Sequence, residues 1–200
     1  MLSGVNERQM HDTVYSELMN LLVIRHGETD MNKEERLQGS REPGLPLNED
    51  GRQAVCVLRD ALMLRPDRIY SSPLLRAQET AAILNESFHM AVTLAPELVE
   101  RDFGTLSGKL RSEIDPKLIE DDLEGHYDYR PYGGESAEDV RARILRFLRS
   151  LPLHRDEVFM AVTHRGVIRI LYDLFPTDAI PEMILPASQH SFVITALPDK

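Results

Sequence analysis

The sequence predicts an α/β protein with a doubly wound, mostly parallel sheet, helices on both faces of the sheet and an irregular cap region. Short apolar runs of strand length alternate with segments whose apolar residues recur at helical spacing. Short connections between these elements favour parallel strands joined by helices. One long stretch interrupts the alternation. Residues 96–134 are rich in acids, glycine and proline, which predicts a solvated cover over the sheet.

The first half of the chain provides two strand–helix units. The apolar run at residues 21–24 predicts a buried strand, and Asn48 is a suitable N-cap for the amphipathic segment that follows it. Residues 68–71 predict a second strand. Ser72 is then the expected cap and Pro73 the first-turn residue of a helix that ends near Asn85. Residues 92–94 predict a further short strand.

The second half repeats the pattern after the cap region. Ser136 and Asp139 have the spacing of a capping box at the start of a helix. The apolar run that begins at Val158 predicts a buried strand that continues directly into another helix, and residues 191–197 predict a last strand.

Length and composition favour one domain over residues 18–200, preceded by a polar leader over residues 1–17. A chain of 200 residues supports one full-sized core. No apolar run approaches the roughly 20 residues that a membrane helix needs, and the leader lacks the hydrophobic segment of a secretory signal. The single cysteine, Cys56, cannot form an internal disulfide. A cytoplasmic protein is therefore expected, with no membrane partner.

The net charge indicates what kind of ligand to expect. A formal charge of -10 disfavours binding to nucleic acids, which are polyanions. A small anion is not disfavoured, because a few converging arginines act locally and distant charges are screened beyond a Debye length of about 8 Å. The oligomeric state does not follow from the sequence.

Charged and imidazole side chains stand where the predicted strands end. Arg25 and His26 follow the first strand, His164 follows the strand from Val158, and Arg76 lies one turn into the helix after residues 68–71. Ligands of parallel sheets bind at the carboxyl ends of the strands, so these residues should meet at one edge. Buried arginine and histidine need a carboxylate or an anionic ligand there, and the conjunction favours an anion.

Other chemistry has little support in the sequence. There is no Gly-x-Gly-x-x-Gly for a dinucleotide, and the segment from Gly104 to Lys109 is one residue short of a P-loop. There is no Cys-x-x-Cys or His-Glu-x-x-His motif, so neither a metal nor another cofactor is expected. Two close histidines with a carboxylate leave metal binding as a minor alternative.

The motifs "RHGETDMN", "IYSSPLLRAQETA", "LVERDFGTLSG", "YGGES" and "VTHRGVIR" together resemble those of the histidine phosphatase superfamily, in its phosphoglycerate mutase-like branch. The resemblance extends over residues 21–197. It implies that His26 is the nucleophile and that Glu100 is the proton donor, with Glu97 as a nearby competitor. The residues implied to bind the phosphoryl group or the substrate are Arg25, Asn32, Gln38, Gly39, Arg76, His164 and Arg165. Thr105, Leu106 and Arg165 depart from the common family pattern.

The residue types suit phosphoryl transfer. Two guanidinium groups stabilise the charge on the equatorial oxygens, and they also lower the pKa of His26, which keeps its lone pair available. A backbone carbonyl near Gly27 is the expected partner of the other ring nitrogen of His26.

The resemblance implies a metal-independent phosphomonoesterase that acts on a small phosphorylated metabolite through a phosphohistidine. Two alternatives stay open: a cofactor-dependent phosphoglycerate mutase, and a non-catalytic module that binds phosphate or a phosphoprotein. The phosphatase is preferred because the family's mutases carry a longer middle insertion and a longer tail. The physiological substrate is left open, and its specificity is expected to reside in residues 102–134.

Overall fold

The computed structural model describes residues 19–42, 44–152, 157–177, 181 and 183–198. Its five strands form one sheet in the order β3-β2-β4-β1-β5. The strands are β1 (Met19–Arg25), β2 (Arg68–Ser71), β3 (Val92–Leu94), β4 (Val158–Thr163) and β5 (Gln189–Ile194). β1, β2, β3 and β4 run parallel, whereas β5 pairs antiparallel with β1. The predicted α/β class with a mostly parallel sheet is confirmed.

The last strand begins and ends earlier than the sequence predicts. It spans Gln189–Ile194, whereas the apolar pattern predicts residues 191–197. Its pairing with β1 sets its length, because Ile194 lies opposite Met19 and Gln189 lies opposite Ile24.

Six α-helices lie in the described ranges, and the caps predicted for two of them are confirmed. They are α1 (Asp30–Lys33), α2 (Glu49–Ala61), α3 (Leu75–Asn85), α4 (Pro116–Glu124), α5 (Ala137–Ser150) and α6 (Arg165–Leu174). Asn48 accepts a hydrogen bond from the Gly51 N–H at 2.7 Å in the first turn of α2. Ser136 and Asp139 form the capping box of α5.

The helices cover both faces of the sheet because successive residues of a strand point to opposite sides. Leu22 and Ile24 of β1 pack into one core with apolar residues of α2 and α3. Leu21 and Val23 pack into the other core, with apolar residues of α5 and α6. This arrangement confirms the doubly wound architecture and leaves the ends of the strands free to carry a site.

The predicted start of α3 is wrong by two residues. The helix begins at Leu75, and its N-cap residue, Leu74, makes no side-chain capping bond. Ser72 lies before the helix, with its Oγ 2.8 Å from the Nε2 of His164. A hydroxyl that could cap a helix therefore contacts a buried histidine, since tertiary packing brings that ring to it.

The cap region is more regular and more buried than the sequence predicts. It contains α4, with Asp115 as N-cap and Gly125 in the left-handed conformation at its C-terminal end, and four short 3-10 turns. Arg101 and Asp122 are 2% and 0% exposed, so the cover is not simply solvated. These charges are buried because they pair with each other, which the sequence does not reveal.

The predicted polar leader over residues 1–17 lies outside the described residues. No helix in the described ranges is both long and apolar enough to cross a membrane.

Candidate active site

Three parallel strands end together and place their next residues side by side. The His26 N–H donates to the Thr163 carbonyl at 2.9 Å, which continues the β1–β4 ladder beyond Arg25. The Ser72 N–H donates to the Val162 carbonyl at 2.9 Å. The rings of His26 and His164 lie 5.0 Å apart between centroids. The two histidines are neighbours at the sheet edge, as the strand pattern predicts.

The imidazole of His26 is buried, oriented and neutral. It is 3% exposed, and its Nδ1 lies 2.7 Å from the Gly27 carbonyl oxygen. A carbonyl only accepts, so Nδ1 carries the proton and Nε2 keeps a free lone pair. Burial, then the charges of Arg76 and Arg25, lower the pKa of His26 well below its usual value of 6.5. The expected carbonyl partner of His26 is therefore present.

Two guanidinium groups flank this ring. Arg76 is fully buried, and its Nη2 donates to the Gly39 carbonyl at 2.9 Å while its Nε has no partner among the described residues. Arg25 donates to the Ile184 carbonyl. Burial lowers the pKa of both arginines to about 10, so both remain cationic at neutral pH. Their charge is incompletely matched inside the fold, which suits an anionic ligand.

His164 is a second neutral imidazole. Burial, followed by the charge of Arg76, lowers its pKa well below 6.5. Its Nε2 lies 2.8 Å from the Ser72 hydroxyl, which also accepts from the Leu74 N–H at 3.3 Å. Its Nδ1 is buried without a partner in the described part of the chain. If the Ser72 hydroxyl donates to Nε2, then Nδ1–H is free to donate to a ligand.

Glu100 sits against the N-terminus of α6. Its Oε2 accepts from the Gly166 N–H at 3.2 Å, and its Oε1 accepts from the backbone N–H and the guanidinium of Arg101 at 2.9 and 3.1 Å. A Cβ on Gly166 would lie 2.3 Å from Oε1, so only glycine allows this approach. The competing acid Glu97 lies in the 3-10 turn Pro96–Leu98, where its carbonyl oxygen accepts from Arg143.

A cavity of about 410 Å³, a size suited to a small metabolite, opens at this edge of the sheet. Of the residues predicted from sequence, the wall contains Arg25, His26, Asn32, Gln38, Glu100 and Arg165. Arg76 and His164 are fully buried close to His26, whose pKa the charge of Arg76 lowers. Gly39 acts through its backbone, because its carbonyl orients Arg76 and its N–H donates to Glu42.

Asn32 and Gln38 present amide groups to this cavity. The Oδ1 of Asn32 accepts from the Thr29 N–H at 3.2 Å in a capping box, which leaves its amide nitrogen for a ligand. Gln38 is 7% exposed, and its Nε2 has no partner among the described residues. Both side chains therefore offer donors to an anion.

Sequence reasoning missed several residues that shape the site. The role of Ser72 had one signal, a Ser-Ser-Pro run at a strand end, which is also typical of a helix cap. Arg111 lines the cavity, and Asp122 binds arginines of the cavity wall. No local motif marks Asp122, because its partners come from separate segments of the chain.

The fold and the site define a phosphoryl-transfer type of protein: a parallel α/β sheet that brings a neutral imidazole and several buried guanidinium groups to one edge. Comparison with known proteins identifies the family. The histidine phosphatase superfamily (branch 1) matches residues 21–193, and the chain belongs to it.

Individual similar proteins support this family assignment. A metal-independent phosphoserine phosphatase of Arabidopsis thaliana is 36% identical over 167 residues, which cover 80% of this chain and 69% of the relative. Phosphoglycerate mutase-like protein 4 of the same plant is 32% identical over 195 residues, covering 93% and 84% of the two chains. The crystal structure of a phosphoglycerate mutase from Thermus thermophilus has a TM-score of 0.70 at 33% identity, covering 91% of this chain and all (100%) of the other.

Proposed function

We propose that the protein is a metal-independent phosphomonoesterase that acts on a small phosphorylated metabolite through a phosphohistidine at His26. One observation carries the proposal. The Nδ1 of His26 is held by the Gly27 carbonyl at 2.7 Å, and the pKa of the ring is well below 6.5, so a neutral Nε2 is available as nucleophile. Relatives whose names specify phosphoserine phosphatase and fructose-2,6-bisphosphatase support hydrolysis of a small phosphoester.

In the first step the Nε2 lone pair attacks phosphorus and the bond to the leaving oxygen breaks. Arg25, Arg76 and the N–H groups of His164 and Asn32 stabilise the charge on the equatorial oxygens. The leaving alkoxide takes a proton from Glu100, which lies in the cavity wall beside Arg25 and His26.

In the second step a water attacks phospho-His26 and the phosphorus–nitrogen bond breaks. Glu100, now a carboxylate, accepts the proton of that water and is ready for the next cycle. The products are the alcohol, released in the first step, and inorganic phosphate. His26 returns to its neutral form.

Positive charge for this reaction comes from the chain itself. Two guanidinium groups and the N-terminus of α6 supply the stabilisation that a metal ion would otherwise bring. We therefore propose that turnover survives exhaustive treatment with a chelator. Activity that is lost with chelator and restored by zinc or magnesium would overturn metal independence.

A mutase is the second candidate, and a specific observation favours it. Arg101 directly follows Glu100, as in the mutase form of the motif, and relatives with mutase names match most of this chain. The test is to supply 3-phosphoglycerate with a catalytic amount of 2,3-bisphosphoglycerate. Free phosphate released faster than 2-phosphoglycerate supports the phosphatase, and the reverse result overturns it.

Turnover itself separates an enzyme from a module that only binds phosphate. Purified protein should release phosphate from simple phosphomonoesters, and a His26→Ala variant with unchanged circular dichroism serves as the matched control. Stoichiometric binding without release would overturn the enzyme assignment. A single catalytic domain over residues 18–200 and a cytoplasmic location remain part of the proposal.

A further inference from the structure

A buried carboxylate lies at the centre of an arginine cluster next to the catalytic cavity. Asp122 of α4 is 0% exposed. Its carboxylate lies 2.5 Å from Arg101 Nη2, 3.2 Å from Arg165 Nη2 and 3.7 Å from Arg111 Nη2. Arg169 donates to its backbone carbonyl at 2.9 Å. Four guanidinium groups from different segments thus converge on one residue.

Arg101 is the member of the cluster whose charge is satisfied. It binds both Asp122 and Glu100, and its guanidinium lies over the rings of Phe103 and Tyr127 at 4.7 and 5.1 Å. Burial alone would lower the pKa of Arg101, but Asp122 and Glu100 raise it above its usual value. Arg101 is therefore a structural cation whose charge is matched by two carboxylates.

All three arginines line the cavity, but Arg111 and Arg165 differ from Arg101 because, among the described residues, each pairs with Asp122 alone. Their side chains are 29% and 22% exposed. The Nε of Arg165 is buried without a partner among the described residues. Burial and the charge of Arg101 lower the pKa of Arg165 to about 9, in line with its unpartnered Nε. Both side chains have N–H groups left for an anion.

The position of this pair relative to the transferred phosphoryl group follows from the chain. Arg165 is the residue after His164 and the first residue of α6. Arg111 lies close enough to Arg25 that its charge lowers the pKa of that guanidinium. Arg25 and Arg76 flank His26 and account for the phosphoryl group, which leaves the Asp122-bound pair in the same cavity available to another part of a substrate.

We propose that Arg111 and Arg165, held in place by Asp122, form a second anion subsite that selects phosphomonoesters carrying a carboxylate. This inference rests on the proposed phosphatase function. It also reassigns Arg165, which the family resemblance places with the phosphate ligands. Asp122 is a positioning residue here, because it touches the two guanidinium groups and does not line the cavity.

A carboxylate fits this subsite better than a second phosphate. The planar fork of a guanidinium matches a carboxylate. Arg165 already donates one terminal nitrogen to Asp122 at 3.2 Å, and a terminal nitrogen of Arg111 lies 3.7 Å from the same carboxylate. Two acids, Glu28 and Glu35, line the same cavity and repel a second dianion. A singly charged group is the better match to the charge that remains.

The test compares two phosphoesters that differ by one carboxylate, O-phosphoserine and phosphoethanolamine. The wild type should favour O-phosphoserine in kcat/KM by about 10- to 100-fold, the range expected for charge-assisted hydrogen bonds. Arg165→Met and Arg111→Met should each lower kcat/KM for O-phosphoserine by about tenfold or more. Their kcat/KM for phosphoethanolamine and for nitrophenyl phosphate should fall by a clearly smaller factor, because neither substrate has a carboxylate for the pair to bind.

Arg36→Gln is the matched control. Arg36 lines the same cavity but already binds Glu34 and the Gly108 carbonyl, so the ratio between the two substrates should not change. Arg165→Lys covers the case in which Arg165→Met does not fold, since it keeps the charge beside Asp122. It should still reduce the preference for O-phosphoserine, because an ammonium group lacks the fork.

Several results would overturn the subsite. They are equal rates on the two phosphoesters in the wild type, an unchanged ratio in the arginine variants, or equal losses on both substrates, which would return Arg165 to the phosphate site. A wild-type preference for a bisphosphate over O-phosphoserine would reject the carboxylate. Absence of activity on nitrophenyl phosphate would instead reject the phosphatase function itself, so the two failures are distinguishable.

Discussion

The substitution Gly166→Ala tests whether the proton donor is held by its contact with α6. An added Cβ would lie 2.0 Å from Arg101 Nη1 and 2.3 Å from Glu100 Oε1, whereas ordinary contacts begin at 3.4 Å. The two side chains must retreat by about 1 Å or more. Arg101 cannot retreat freely, because it is held by Asp122 and lies over two aromatic rings. Glu100 is therefore expected to leave its position.

The expected magnitudes follow from this displacement. A misplacement of about 1 Å at a catalytic group can cost about 100-fold in rate. Loss of a buried charge-assisted hydrogen bond costs about 1.5–3 kcal/mol, and the lower chain entropy of alanine offsets up to about 1 kcal/mol. The net loss of about 0.5–3 kcal/mol corresponds to a decrease in Tm of roughly 1–12 °C for a chain of this size.

The assay compares an alkyl phosphate with nitrophenyl phosphate, whose leaving group hardly needs a proton. We expect the loss in kcat/KM to be about 100-fold for the alkyl phosphate and below tenfold for nitrophenyl phosphate. Gly44→Ala is the control, since no heavy atom of the described residues, its chain neighbours aside, lies within 4 Å of the Cβ it would add. An alkyl phosphatase rate within threefold of wild type at unchanged Tm would refute the reasoning.

Four further outcomes are expected. His26→Ala should lose turnover by about 1,000-fold or more, and only the wild type should retain an acid-labile, alkali-stable phosphate label; residual activity above a few per cent would reject His26 as the nucleophile. Glu100→Gln should slow alkyl phosphates by about 100-fold but nitrophenyl phosphate by less than tenfold, and equal slowing would redirect attention to Glu97 or Asp102. Because the pKa of His26 is lowered, kcat/KM at pH 5.5, corrected for substrate protonation, should stay within about twofold of its plateau, whereas an unperturbed imidazole would lose about tenfold. The pKa values of His26 and His164 are lowered in the folded state, so the unfolded chain binds more protons below pH 6.5. The free energy of unfolding in urea should therefore decrease as the pH is lowered below 6.5, by at most about 1.4 kcal/mol per pH unit for each histidine. An increase in the free energy of unfolding on acidification would contradict the burial of both histidines as neutral rings.

The histidine pair shows how far local patterns extend. The runs ending at Arg25 and Thr163 are apolar, and their alternation with helical segments predicts parallel strands. Parallel strands present their carboxyl ends at one edge, so the proximity of His26 and His164 follows before any coordinates are known. The carbonyl partner of His26 was predictable for a similar reason, since it belongs to the adjacent residue.

Ser72 and α4 show where such patterns stop. A serine before a proline at a strand end is typical of a helix cap. In the structure the Ser72 hydroxyl lies 2.8 Å from the buried ring of His164, and the helix begins only at Leu75. The acids of the cap region predict a solvated surface, and they obscure the alternation of apolar residues in α4. Both errors arise because the deciding contacts come from residues distant in sequence.

Local sequence patterns were enough to predict the fold class and the edge of the sheet at which Arg25, His26, Arg76 and His164 meet, whereas the roles of these residues in phosphoryl transfer were implied by the family resemblance. Hydrophobic periodicity and helix caps are read from a few neighbouring residues and define each strand and helix. The parallel topology of the sheet then places the ends of the strands at one edge. The arginine cluster, in contrast, depends on tertiary contacts. Asp122 lies 21 residues from Arg101 and 43 from Arg165 in the chain, and nothing local marks it as buried. A charge can be buried only where opposite charges meet it, and that meeting is a property of the folded chain.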